Sequence, residues 1–170
     1  SGGNLYVGGD FTTAGPATVN HIGKWGGFSW AAVGSGMGSG NVISVYALTV
    51  SGSSLYAGGL FTSAGGAGAA DVAKWNGSSW SPMGVGMYIS TNYYPSVHAL
   101  AMHGADLYAG GDFTYAGGSV TNRNEANRIA KWDGNSWSAL GSGMNGTVRA
   151  LAVSGGDLYA GGQFTSAGGK

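Results

Sequence analysis

The chain has 170 residues, no net charge, only 8% charged residues and no Cys. A neutral, charge-poor surface has no electrostatic pull on nucleic acid or anionic lipid. Without Cys there is no disulfide, thiolate nucleophile or thiolate metal site, and no apolar run approaches the roughly 18 residues of a membrane span. Gly accounts for 36 residues, but they recur in register with Trp, Tyr and Phe, unlike those of a disordered linker.

The first element met along the chain sets the pattern. Leu-Tyr-x-Gly-Gly-x-Phe-Thr-x-Ala-Gly begins at Leu5 and returns at Leu55, Leu107 and Leu158. A period of about 50 residues marks a stacked or radial repeat architecture. The Leu-Tyr segment reads as a short strand ending in Gly-Gly. Gly-Gly serves either close backbone approach or positive φ at a bulge.

A second strand carries Lys-Trp, at Trp25, Trp75 and Trp132, and a third carries Ser-Trp, at Trp30, Trp80 and Trp137. Asn76-Gly77 and Asp133-Gly134 between them are hairpin signals. A two-residue turn would set Trp75 against Ser78, with Trp80 two positions on along the same face. A four-residue turn would set Trp75 directly against Trp80. Either register puts both indoles on one side, as core packing between neighbouring units. Lys24, Lys74 and Lys131 are expected to lay their methylenes over apolar surface and keep the ammonium in solvent.

The unit closes with a Val-x-Ala-Leu strand, at Val45, Val97 and Val148, which a turn joins to the next Leu-Tyr strand. No segment shows sustained 3.6-residue apolar spacing, so no helix is expected. The predicted strands run three, then four, four and two. Sheets buried on both faces have no use for ionic side chains, which accounts for the low charge.

The order Gly-Gly, Trp, Trp, Met holds for Gly8-Gly9, Trp25, Trp30 and Met37. It holds again for Gly58-Gly59, Trp75, Trp80 and Met87, and for Gly110-Gly111, Trp132, Trp137 and Met144. This order resembles the kelch motif, and the chain is similar to kelch-like bacterial β-propellers, including secreted types rich in Gly-Gly-x-Phe-Thr. It departs from the usual pattern in carrying Lys-Trp where a Tyr-Asp type pair is common. The resemblance implies an all-β propeller of four-stranded antiparallel blades. Residues 1–170 would form an incomplete ring of about three and a quarter blades, with units near 5–54, 55–106, 107–157 and the start of a fourth at 158–170. Propellers typically close with about four to eight blades. The expected partners are therefore further blades of one longer chain, or other copies of the same chain.

Function is sought where the repeats differ. The spacer after Met87 is aromatic and uncharged, and Tyr88, Tyr93 and Tyr94 give it the character of a binding surface. Packing of that loop on a sheet edge is the competing reading. The residue between Gly-Gly and Phe is Asp10, Leu60, Asp112 or Gln163, so Asp10 and Asp112 could face a shared mouth from different units. Asn122-Arg123-Asn124-Glu125, in the longest loop after a Leu-Tyr strand, reads as solvated. His21, His98 and His103 hold different repeat positions, which argues against a metal cluster. Two sequons, at Asn76 and Asn145, coincide with Asn-Gly turns.

The resemblance implies a non-enzymatic propeller segment of a secreted or cell-surface protein, serving interaction, adhesion or assembly. It would have a protein or glycan partner, no cofactor or metal, and neither nucleic-acid binding nor membrane insertion. A lectin-like carbohydrate-binding propeller is the alternative. An enzyme is the remaining reading, with its site on blades outside this sequence. The copper enzymes of this type need a Tyr–Cys crosslink, which this chain cannot make.

Overall fold

The computed structural model describes residues 3–40, 42–89, 93–119 and 122–169. Among them there is no helix. Counted by sheet, so that each Val-x-Ala-Leu strand opens a unit rather than closing one, the first unit contributes β1 (Leu5–Gly8), β2 (Thr13–Ala14), β3 (Ala17–Thr18), β4 (Ile22–Trp25), β5 (Trp30–Ala32) and β6 (Met37–Gly38). The second contributes β7 (Ser44–Ser51), β8 (Ser54–Leu60), β9 (Ser63–Ala64), β10 (Ala67–Gly68), β11 (Val72–Trp75), β12 (Trp80–Pro82) and β13 (Met87–Tyr88). The third contributes β14 (Ser96–His103), β15 (Asp106–Asp112), β16 (Tyr115–Gly118), β17 (Arg123–Glu125), β18 (Ile129–Trp132) and β19 (Trp137–Ala139), followed by β20 (Val148–Ser154) and β21 (Asp157–Gly162).

The longer strands form antiparallel sheets in the repeat order. β1-β4-β5 has three strands, β7-β8-β11-β12 four, β14-β15-β18-β19 four and β20-β21 two. The remaining short strands link the units. β6 pairs with β9 of the following unit, and β13 pairs with β16. Nothing in the repeat words announces these two-residue pairings. The loop after each Leu-Tyr strand thus hydrogen-bonds back to the Met segment of the preceding unit.

Neighbouring sheets pack against each other, with β14 lying against β7 and against β20. One core joins Ile22, Val33 and Met37 of the first unit to Val45, Leu55, Phe61 and Trp80 of the second. Another joins Val72, Met83 and Met87 to Val97, Leu107, Phe113 and Trp137. The core therefore lies between sheets.

In the two inner sheets the two glycines of each pair have separate tasks, and both tasks are close approach rather than positive φ. A Cβ on Gly8, Gly58 or Gly110 would meet Cγ1 of Val45, Val97 or Val148 at 2.4–2.5 Å. Each of these valines belongs to the next sheet and is fully or almost fully buried. The first glycine is thus a notch that seats a valine from the neighbouring sheet. A Cβ on Gly59, Gly111 or Gly162 would instead meet the carbonyl oxygen of Ser44, Ser96 or Thr147 at 2.0–2.1 Å. The second glycine makes room for the adjoining strand of its own sheet, which bulges there.

The Trp hairpins use the four-residue turn, with Trp25 opposite Trp30, Trp75 opposite Trp80 and Trp132 opposite Trp137. Ring centroids are 5.3–5.5 Å apart at interplanar angles of 49–55°. Asn76 Oδ1 accepts from the backbone N–H of Ser78 and Ser79 and so holds the second turn. Asp133 does the same in the third, where the N–H groups of Ser136 and Asn135 hold its carboxyl below the ordinary range. Trp80 Nε1 donates to Val33 O and Trp137 Nε1 to Met83 O, both at 2.8 Å, so each buried indole is tied to the preceding unit. Trp137→Phe is expected to cost about 1–3 kcal/mol in urea unfolding, because it leaves a buried Met83 carbonyl unpaired.

Two of the repeated lysines are not simply solvated. Lys131 Nζ pairs with Asp106 Oδ2 at 3.2 Å, and that hydrogen bond holds its pKa above the ordinary value. Lys74 Nζ lies 5.7 Å from the Tyr56 ring centroid. The 122–125 segment also differs from expectation. Arg123–Glu125 is a strand, paired to β16, with Asn124 Nδ2 donating to Trp137 O at 3.1 Å. Its side chains remain exposed, as charge requires, but its backbone is committed.

Candidate functional site

The strands β7, β14 and β20 each break register once, between Val45 and Ala47, Val97 and Ala99, and Val148 and Ala150. The extra residue is Tyr46, His98 or Arg149. A bulge of this kind re-aims one side chain out of the alternating pleat. Its cause is local: the second glycine of the opposing strand has no side chain to resist the displaced backbone. Three equivalent bulges on three adjacent sheets thus present three different side chains from one end of the assembly.

These side chains form a row. The Tyr46 and His98 rings stack with centroids 5.2 Å apart and an interplanar angle of 28°. Tyr46 keeps 46% of its surface exposed. Ser96 Oγ lies 3.2 Å from His98 Nε2. Burial lowers the His98 pKa below its ordinary value and the Arg149 charge lowers it further, against the opposing pull of Asp112. His98 is therefore a neutral hydrogen-bonding group at neutral pH. Arg149 Nη2 donates to Gln163 Oε1 at 2.9 Å.

Asp112 belongs to this row, but not as a free carboxylate. Arg128 Nε is 3.1 Å from Asp112 Oδ1, off the line of its N–H, while Nη1 donates to Phe113 O at 3.3 Å. The pair is held by charge rather than by a linear hydrogen bond. Asp10 is exposed at the other end, next to Gly9, whose carbonyl accepts the Val45 N–H at 3.1 Å. The Tyr46–His98 stack falls between the two carboxylates, with Leu60 at the equivalent position of the middle unit. Asp10 and Asp112 thus hold equivalent positions on the first and third sheets.

The tyrosine spacer divides into two parts, and residues 90–92 lie outside the described residues. Tyr88 is a strand residue opposite Tyr115, with the Arg123 guanidinium 4.1 Å from its ring centroid. It is occupied by the fold, and the loop reading does not hold for it. Tyr93 and Tyr94 are 79% and 75% exposed. Tyr94 lines a small apolar cleft of about 70 Å³ with Val42, Leu60, Phe61 and Thr62. Leu60 is paired with Ser44, so the cleft lies at the same end of β7 as Tyr46.

Loop length drew attention to Tyr93 and Tyr94 but not to Tyr46, His98 and Arg149. The available signal was the single variable position inside Val-x-Ala-Leu. Among the described residues, no group of three or more His, Asp or Glu is placed to hold a metal ion. No protein-family model matches the chain, and no curated protein matches it.

Proposed function

We propose that the chain is part of a kelch-like β-propeller in which each four-stranded sheet is one blade, and that it serves as a non-enzymatic binding or adhesive module of a secreted or cell-surface protein. The observation that carries this reading is the division of labour inside the repeat. Residues shared by the units hold the sheets together, while the differing ones, Tyr46, His98 and Arg149, are gathered by three equivalent bulges into one row. A surface whose chemistry changes along a constant scaffold suits recognition. The ring is completed by further blades of one longer polypeptide or by other copies. The 56% exposed Leu5 and Tyr159 support that completion, because the matching positions of the inner sheets are covered.

A lectin-like role is the second reading. It is favoured by the exposed Tyr46 ring, which suits the apolar face of a sugar. The test is comparative. Immobilised chain is set beside a Tyr46→Ala, His98→Ala, Arg149→Gln variant whose unfolding midpoint is unchanged, and both are offered defined protein and glycan panels. Retention by the parent chain and loss by the variant is the expected result. Turnover of a substrate that the variant abolishes would make the protein an enzyme. Sedimentation as a monomer of 16.9 kDa, from a gene encoding no further repeats, would end the proposal of a completed ring.

A further inference from the structure

The chemistry of the bulge row narrows the ligand, and this inference rests on the carbohydrate-binding reading. The row is aromatic at Tyr46, with the exposed Asp10 carboxylate beyond it, neutral and hydrogen-bonding at His98, and cationic at Arg149. Asp112, the carboxylate that acts on His98, is already paired with Arg128. Among the described residues the exposed Arg149 has no carboxylate partner: its guanidinium gives one N–H to the neutral amide oxygen of Gln163 and keeps its other donors. A guanidinium with unspent parallel donors matches a carboxylate in two-point fashion.

The aromatic end is set for a flat, partly apolar ring. One face of Tyr46 is covered by His98 and almost half of its surface is open. His98 has one ring nitrogen committed to Ser96, leaving the other for a hydroxyl. The His98 ring stands between Tyr46 and Arg149, so one sugar cannot cover all three. The ligand must be a chain of rings.

We propose that Tyr46, His98 and Arg149 form a binding row for an acidic oligosaccharide, with a sugar ring on Tyr46, hydroxyls at His98 and a uronic-acid carboxylate on Arg149.

The experiment is calorimetric titration of the chain with an oligogalacturonate of four residues, beside a neutral glucan oligomer of the same length. Binding of the oligogalacturonate, weakening as salt is raised, is expected. Arg149→Gln should weaken it by about tenfold or more, and Tyr46→Ala by a similar factor. Both residues are exposed, so the fold survives either change. Arg123→Gln, which removes an equal charge beside Tyr88, should leave binding within about twofold. No binding, equal affinity for the neutral oligomer, or full affinity in Arg149→Gln would each overturn the proposal. An acidic peptide of matched charge that competes equally well would overturn it too, while leaving the wider binding-module reading in place. Neutral-glycan binding lost in Tyr46→Ala would likewise spare the lectin reading and remove only the acidic specificity.

Discussion

Gly58→Ala and Gly110→Ala should each destabilise the chain by about 2–4 kcal/mol in urea unfolding, while Gly161→Ala should change stability by less than about 0.5 kcal/mol. All three glycines hold the same place in the repeat, and none has a positive φ that would itself forbid Ala. They differ only in what faces them. The new methyl would meet Val97 or Val148 at 2.5 Å in the first two cases and nothing within 4 Å in the third. Fully buried valines in close-packed surroundings have little room to retreat. Gly111→Ala should be worse than either, because its methyl meets the backbone carbonyl of Ser96 and a main chain cannot rotate aside. It should also remove the bulge that re-aims His98, and so weaken ligand binding beyond its effect on folding.

Asp71→Asn should stabilise the chain at neutral pH. Asp71 is 3% exposed, and burial pushes its carboxyl up to about 8 against the opposing hydrogen bond from the Phe61 N–H. In the unfolded chain the same group titrates near about 3.9. Between these values the folded state holds a proton that the unfolded state has released. Stability from this residue is therefore fully present below about pH 4 and is lost as pH rises towards 8, by up to about 1.4 kcal/mol per pH unit. Asn cannot ionise, can accept the same Phe61 N–H, and tolerates the φ of 63° that Asp71 adopts. Urea unfolding followed from pH 4 to pH 8 should show the parent losing stability relative to the Asn variant, with a gap of about 2–4 kcal/mol at pH 7 that closes near pH 4. A gap independent of pH would mean that Asp71 does not change its protonation within that range. The equivalent positions carry His21 and Arg128, both at φ 72°, so the unit keeps the backbone shape here while changing the charge.

Much of this architecture is legible in the sequence because each recurring word has one structural task. Leu-Tyr-x-Gly-Gly, Lys-Trp, Ser-Trp and Val-x-Ala-Leu each map to one strand, and the sheets contain three, four, four and two of them, as the repeat order implies. The pairing of Met37–Gly38 with Ser63–Ala64 was not legible. Two residues carry no period, and the partner is a loop fixed by packing in the next unit. The row at Tyr46, His98 and Arg149 was hidden for a different reason. In a regular strand, the residue between Val and Ala lies on the opposite face of the sheet from both. Only the bulge turns it, and the bulge depends on a glycine of the partner strand rather than on the strand that carries the residue. The ion pair of Asp112 with Arg128 was not legible either, because neither position keeps one residue type across the repeats.

The packing of one sheet on the next through valine and glycine is tested most directly by a double-mutant cycle on Gly110→Ala and Val148→Ala, read by urea unfolding. Each single change should destabilise, the first by crowding and the second by leaving a cavity. Together they should cost about 1–2 kcal/mol less than the two added, because the new methyl occupies part of the space the valine vacates. Strict additivity within about 0.5 kcal/mol would show that the two residues do not touch in solution, and that the sheets do not lie face to face as described.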